Sequence, residues 1–89
     1  MDLKDFRNQI DEIDENIVKL LLERFAVVKN VAEYKKNHGL AVYQQAREAE
    51  VLTKISEKIG NREYEEYILK IYGVILETSK SLQRERTEE

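Results

Sequence analysis

An apolar stripe runs along the first part of this chain for longer than a small globule can use. Leu3, Phe6, Ile10, Ile13, Ile17, Leu20, Val27 and Val31 recur at steps of three and four, the spacing that gathers side chains on one face of an α-helix. Only the step from Leu20 to Val27 skips a turn, and Arg24 fills it. No proline interrupts the pattern, which predicts a single helix over residues 3–37. Gly39 closes it, because glycine readily takes the left-handed conformation of a helix stop, and His38 suits the negative end of the helix dipole. Such a helix is about 50 Å long, whereas a compact chain of 89 residues has a radius of gyration of about 12 Å. The helix overruns any globule its own chain can build, and a second copy lying antiparallel is the natural cover.

The remainder reads as two more helices. Residues 44–59 place Glu48, Leu52, Ile55 and Ile59 on one face and end at Gly60. Residues 63–84 turn Tyr64, Ile68, Ile71, Ile75, Ser79 and Leu82 inward, with Gly73 accounted for either by close approach of another helix or as a tolerated accident. The polar end, Arg84 to Glu89, is expected to fray. Strand-like alternation is absent. The expectation is an all-α fold, with a long first, short second and long third helix, in a single domain over 1–89. At this size a chain hides only about 60% of the surface its unfolded form exposes, which again favours a partner chain.

Composition narrows the chemistry. Cysteine is absent and His38 is the single histidine, so thiol nucleophiles, disulfides and thiolate or zinc sites are not expected, and no cofactor or metal is called for. The opening segment has no signal-like apolar run, and no stretch approaches 18 apolar residues, which predicts a cytoplasmic protein that neither spans nor enters a membrane. A net charge of −3 argues against nucleic acid as a partner, as do Glu48, Glu50 and Glu57 on the second helix. The acidic run Asp11, Glu12, Asp14 and Glu15 reads as the solvated face of the first helix.

The informative residues are polar groups on apolar stripes. Arg24 and Lys35 are eleven residues apart, which puts them within roughly 20° of one face and about 16 Å along the axis. Arg7 edges the same stripe but lies about 25 Å of helix from Arg24, too far to share one small ligand with it inside one chain. Two antiparallel copies bring them together. Arg47 and Glu48 open the second helix, and Ser79 and Gln83 end the inner row of the third. Singly, each has a plain structural account: an interchain salt bridge or snorkelling for Arg24 and Lys35, a surface pair for Arg47 with Glu48, interhelical hydrogen bonding for Ser79 and Gln83. Together, Arg7, Arg24, Lys35, Arg47 and Glu48 make a +3 cluster in a chain whose other residues sum to −6. A cationic pocket in an acidic protein suits a small anion.

The segments LKDFRNQIDEIDENIVKLLLER, VAEYKK, QQAREAEVL and ILETSKSLQ, in this order and at these separations, resemble the all-helical AroQ chorismate mutases over almost the whole chain. The resemblance implies an intertwined homodimer of three-helix chains with two equivalent sites. It further implies a cofactor-free isomerase that turns chorismate into prephenate, in aromatic amino-acid biosynthesis. Matched position by position, Arg7 is the arginine donated across the dimer and Arg24 that of the same-chain site. Lys35 and Gln83 are the pair at the ether oxygen. Arg47 and Glu48 are the pair opening the second helix, the glutamate holding the substrate's ring hydroxyl, and Ser79 lies near a substrate carboxylate. Gln44 stands where many members carry an aspartate; it is a weaker helix starter at the edge of the site. Two alternatives share these stripes, an isochorismate–pyruvate lyase and a non-catalytic helical dimerisation or regulatory module. Glu48 and Ser79 fit the mutase pattern better than the lyase pattern, and a silent module would need neither Glu48 nor Gln83.

Overall fold

Asp2 and Asp5 start the first helix by capping each other. The Asp2 carboxylate accepts the Asp5 backbone N–H at 3.0 Å, and the Asp5 carboxylate accepts that of Asp2 at 3.1 Å, satisfying donors that a helix start would otherwise leave open. The computed structural model describes residues 1–87. From this cap, α1 runs unbroken over Leu3–Asn37, with Lys35 and Lys36 at its negative end. Gly39, at φ +64°, closes it: the Leu40 N–H reaches the Lys35 carbonyl at 2.8 Å and the Gly39 N–H that of Lys36 at 3.4 Å. This paired closure turns the chain back beside Lys35.

α2 covers Gln45–Lys58, a 3₁₀ turn Arg62–Tyr64, and α3 Glu65–Thr87. The described residues contain three α-helices and no strand. α2 does not close on a left-handed glycine; it stops at Lys58, and Ile59 is already extended at φ −79°, ψ 107°. Asn61 then starts the 3₁₀ turn by accepting the Glu63 N–H. At the other end α3 continues through residues 84–87, where the Thr87 hydroxyl donates to the Gln83 carbonyl at 2.9 Å. Residues 88 and 89, the rest of that polar end, lie outside the described residues.

α3 packs against both other helices, while α1 and α2 do not pack on each other; the space between them is a cleft floored by α3. The buried apolar core is small, consisting of Val28, Ala32 and Leu76, where the second half of α1 meets α3. Ala32 is fully buried. On α1 the covered face is turned by about one residue from the sequence expectation, whereas on α3 the expected Ile68, Ile75, Ser79 and Leu82 are covered. The α1 face runs through Leu21, Phe25, Val28 and Ala32, and that of α3 also takes in Leu69, Tyr72, Leu76 and Gln83. The stripe from Leu3 to Leu20 faces outward, as do Tyr64, Tyr67, Ile71 and Val74 of α3, while Val27 and Val31 edge the cleft. Among the described residues, an added Cβ at Gly73 would meet nothing within 4 Å, so close approach of a helix within the chain does not account for this glycine. The molecule measures 54 × 26 × 14 Å with a radius of gyration of 16.2 Å, well above the roughly 12 Å of a compact chain this long.

Candidate active site

The cleft, about 270 Å³ in volume, collects polar side chains from all three helices on an apolar floor that includes Val28 and Leu76. Arg24 and Lys35 come from α1, two of the few polar residues on its covered face. Glu48 and Arg47 come from the first turn of α2, and Ser79 and Gln83, one turn apart, from the buried face of α3. Gln44 stands at the rim as the residue preceding α2; its carbonyl accepts the Glu48 N–H at 3.1 Å, but its side chain makes no capping bond. Of the eight residues singled out from the sequence, seven line this one cleft. Arg7 does not: it is exposed near the start of α1, seventeen residues and about 25 Å of helix from Arg24.

Within the cleft the side chains are paired. The Lys35 ammonium donates to Gln83 Oε1 at 2.8 Å and to the Val42 carbonyl at 2.9 Å. An ammonium on the amide oxygen fixes which way Gln83 faces and leaves its NH₂ as an uncommitted donor. Burial pushes the Lys35 pKa below the usual lysine range, and the charge of Glu48 opposes that shift. One turn away on α3, the Ser79 hydroxyl donates to the Ile75 carbonyl and accepts from the Arg24 guanidinium. That contact aims Arg24 while leaving most of its five donors unspent.

Arg47 and Glu48 do not form the expected surface pair. Arg47 is exposed and binds Glu50 one turn along α2, whereas Glu48 turns inward to Lys80 of α3, with Nζ–O distances of 3.2 and 3.4 Å. Lys80 is the site residue that sequence reasoning missed. Its signal was position: three residues before Gln83, it shares that residue's helix face. His38, by contrast, is a helix-end residue. It terminates α1, contacts the Tyr34 carbonyl through Nδ1 at 2.8 Å and stacks on the Tyr34 ring at 3.9 Å between centroids.

The arrangement offers fixed cations and amide donors with one carboxylate acceptor, and no nucleophile poised beside a base. It can grip a small anion at two ends and stabilise charge that develops between them. Among the described residues, no helix is long and apolar enough to cross a membrane.

Comparison with known proteins points the same way. The chain is 35% identical over 88 residues to a chorismate mutase of Methanocaldococcus jannaschii, which spans 98% of this chain and 89% of that protein. It is 34% identical to a bifunctional chorismate mutase/prephenate dehydratase of Aquifex aeolicus and 36% identical to one of Buchnera aphidicola, each match covering 93% of this chain. These matches cover only 24% and 22% of the two bifunctional proteins. The family model for chorismate mutase type II matches residues 6–84, and the chain belongs to that family.

Proposed function

We propose that this chain is a chorismate mutase, a single domain that converts chorismate to prephenate in the cytoplasm as a step of aromatic amino-acid biosynthesis. The reaction is an intramolecular rearrangement in which a C–O bond breaks as a C–C bond forms. It needs no nucleophile and no proton transfer. What accelerates it is confinement of the substrate in its compact, reactive conformer, together with donors aimed at the ether oxygen, where negative charge grows as the bond lengthens.

The observation that carries this reading is the meeting of Lys35 and Gln83, 2.8 Å apart, in the same cleft as Arg24 and Glu48. Lys35 and the Gln83 NH₂ are the donors for the ether oxygen and bind it more tightly in the transition state than in the ground state. Arg24, aimed by Ser79, takes one carboxylate in a forked contact. Glu48 accepts the ring hydroxyl. Arg47 swings from Glu50 towards the second carboxylate, and Gln44 edges the loop above it.

Arg7 of the partner subunit completes the grip, in an intertwined homodimer with two equivalent sites. Support for the dimer is the long stripe on α1, where Ile10, Ile13 and Ile17 are each about half exposed with nothing among the described residues to cover them. An α1 that projects from its own fold can lay its first turns against the cleft of a second, antiparallel copy. The test is a spectroscopic assay for loss of chorismate with formation of prephenate. A folded chain that consumes no chorismate overturns the assignment, and release of pyruvate from isochorismate in its place makes the chain a lyase.

A further inference from the structure

Lys80 is only 9% exposed, on the buried face of α3, and its ammonium needs partners to be there at all. It has three. Nζ lies 2.7 Å from Glu77 Oε1, 3.2 Å and 3.4 Å from the two oxygens of Glu48, and 4.8 Å from the centre of the Tyr43 ring. Glu77 is mostly exposed and acts as an outer anchor, whereas Glu48 lines the cleft. Tyr43 follows Val42, whose carbonyl Lys35 holds, so the two lysines secure adjoining residues of the α1–α2 loop.

A carboxylate in this cleft poses an electrostatic problem. Glu48 has to accept a hydroxyl while facing a substrate that carries two carboxylates of its own, and like charges at close range in a partly buried site repel strongly. An ammonium touching both Glu48 oxygens offsets that repulsion and stops the side chain from turning away. A carboxylate has about four lone-pair sites, so one contact to each oxygen leaves acceptors for a ligand.

We propose that Lys80 is a positioning residue for the substrate's ring hydroxyl: it holds Glu48 in place and compensates its charge, so that Glu48 can accept that hydroxyl beside a dianion. This rests on the cleft being the chorismate site. Lys80 touches no reacting atom; it acts through Glu48 and governs how well the site distinguishes a hydroxylated ring from a bare one.

The test compares steady-state kinetics of the full chain and of Lys80→Met on chorismate and on its analogue lacking the ring hydroxyl, with Glu48→Gln alongside. Lys80→Met should lower kcat/KM for chorismate by about tenfold to a hundredfold and for the analogue by no more than about threefold, so that the preference for the hydroxyl shrinks as it does in Glu48→Gln. In the Glu48→Gln background the same substitution should add little, as expected of residues acting as a unit. Equal losses on both compounds overturn the proposal and leave Lys80 a purely structural residue. If Lys80→Met does not fold, Lys80→Met/Glu77→Gln, which removes one of the stranded carboxylates, serves the same comparison. A wild-type chain that converts neither compound overturns the assignment of the cleft and this inference with it; with an active wild type, the result bears on Lys80 alone.

Discussion

The Lys35 ammonium bridges Gln83 Oε1 and the Val42 carbonyl, at 2.8 and 2.9 Å, and so ties the end of α1 to α3 and to the loop leading into α2. As the donor proposed for the ether oxygen, it contributes chiefly in the transition state. Lys35→Ala should therefore lower kcat by at least about a hundredfold to a thousandfold, on the scale of about 3–4 kcal/mol for one preorganised donor, with helix content by circular dichroism unchanged. Wild-type kcat in a folded variant would remove Lys35 from this role.

In the proposed mechanism Gln83 donates through an amide and needs no proton from solvent. Replacing it with glutamate leaves an acceptor until the carboxyl is protonated, and the neighbouring Lys35 ammonium favours the ionised form. Gln83→Glu should be active only in acid and lose its rate as pH rises towards neutrality, while the wild type holds its rate across neutral pH. A pH–kcat profile of the two proteins side by side checks this.

At the alkaline end the sign follows from Lys35 itself. In the proposed role its charged form is the active one, and burial lowers its pKa while Glu48 works against that lowering. Activity is thus present below the Lys35 pKa and falls as pH rises through it, at a pH below the ordinary lysine value of about 10.4. Glu48→Gln removes the opposing charge, so the alkaline limb of kcat/KM, which reports the free enzyme, should move further down. A limb unmoved by Glu48→Gln would mean that another group sets it.

How much of this could be read from the sequence differs by residue. Arg24, Lys35, Ser79 and Gln83 stood out because each is a polar residue on an apolar face, an anomaly that periodicity exposes. The phase of the covered face was harder to read on α1 than on α3, where Ile68, Ile75, Ser79 and Leu82 are covered as expected. Apolar residues occupy more than one side of α1 and α3, and one chain covers only one side, leaving Ile13 and Ile71 outward. Lys80 was harder to read for a related reason, its place one turn before Gln83 being the only signal. A lysine beside a buried serine reads as a snorkelling surface residue until the carboxylates that neutralise it, 32 residues earlier at Glu48 and three residues earlier at Glu77, are brought alongside. Arg47 was matched to Glu48 by adjacency, yet neighbours in a helix point about 100° apart, and its partner proves to be Glu50 at i+3.

The loop over the cleft depends on one backbone conformation. Gly39 sits at φ +64°, and nothing lies within 4 Å of where its Cβ would be, so Gly39→Ala meets only backbone strain. Stability should fall by about 1 kcal/mol, read as a lower urea midpoint with an unchanged slope. Because this turn leads directly to Val42 and Tyr43, KM should rise more than kcat falls. A variant as stable as the wild type would show that the closure at Lys35 tolerates another geometry.

The sharpest prediction concerns Arg7, about 25 Å of helix from Arg24 on the same rigid element. If each site takes Arg7 from one chain and Arg24 from the other, Arg7→Ala and Arg24→Ala should each be nearly inactive alone. Refolded together in equal amounts, half of the dimers are mixed, and each mixed dimer holds one site with both arginines intact and one with neither. Activity should return to about a quarter of the wild-type level, the share of intact sites expected from random pairing in a two-fold symmetric dimer. Recovery should also vanish in chains carrying Ile13→Asp, which places a charge on the exposed stripe and should shift the sedimentation of the protein from dimer to monomer. No recovery from the mixture, with both parents folded and dimeric, would place Arg7 outside the site and leave the cleft to work with the cations of a single chain.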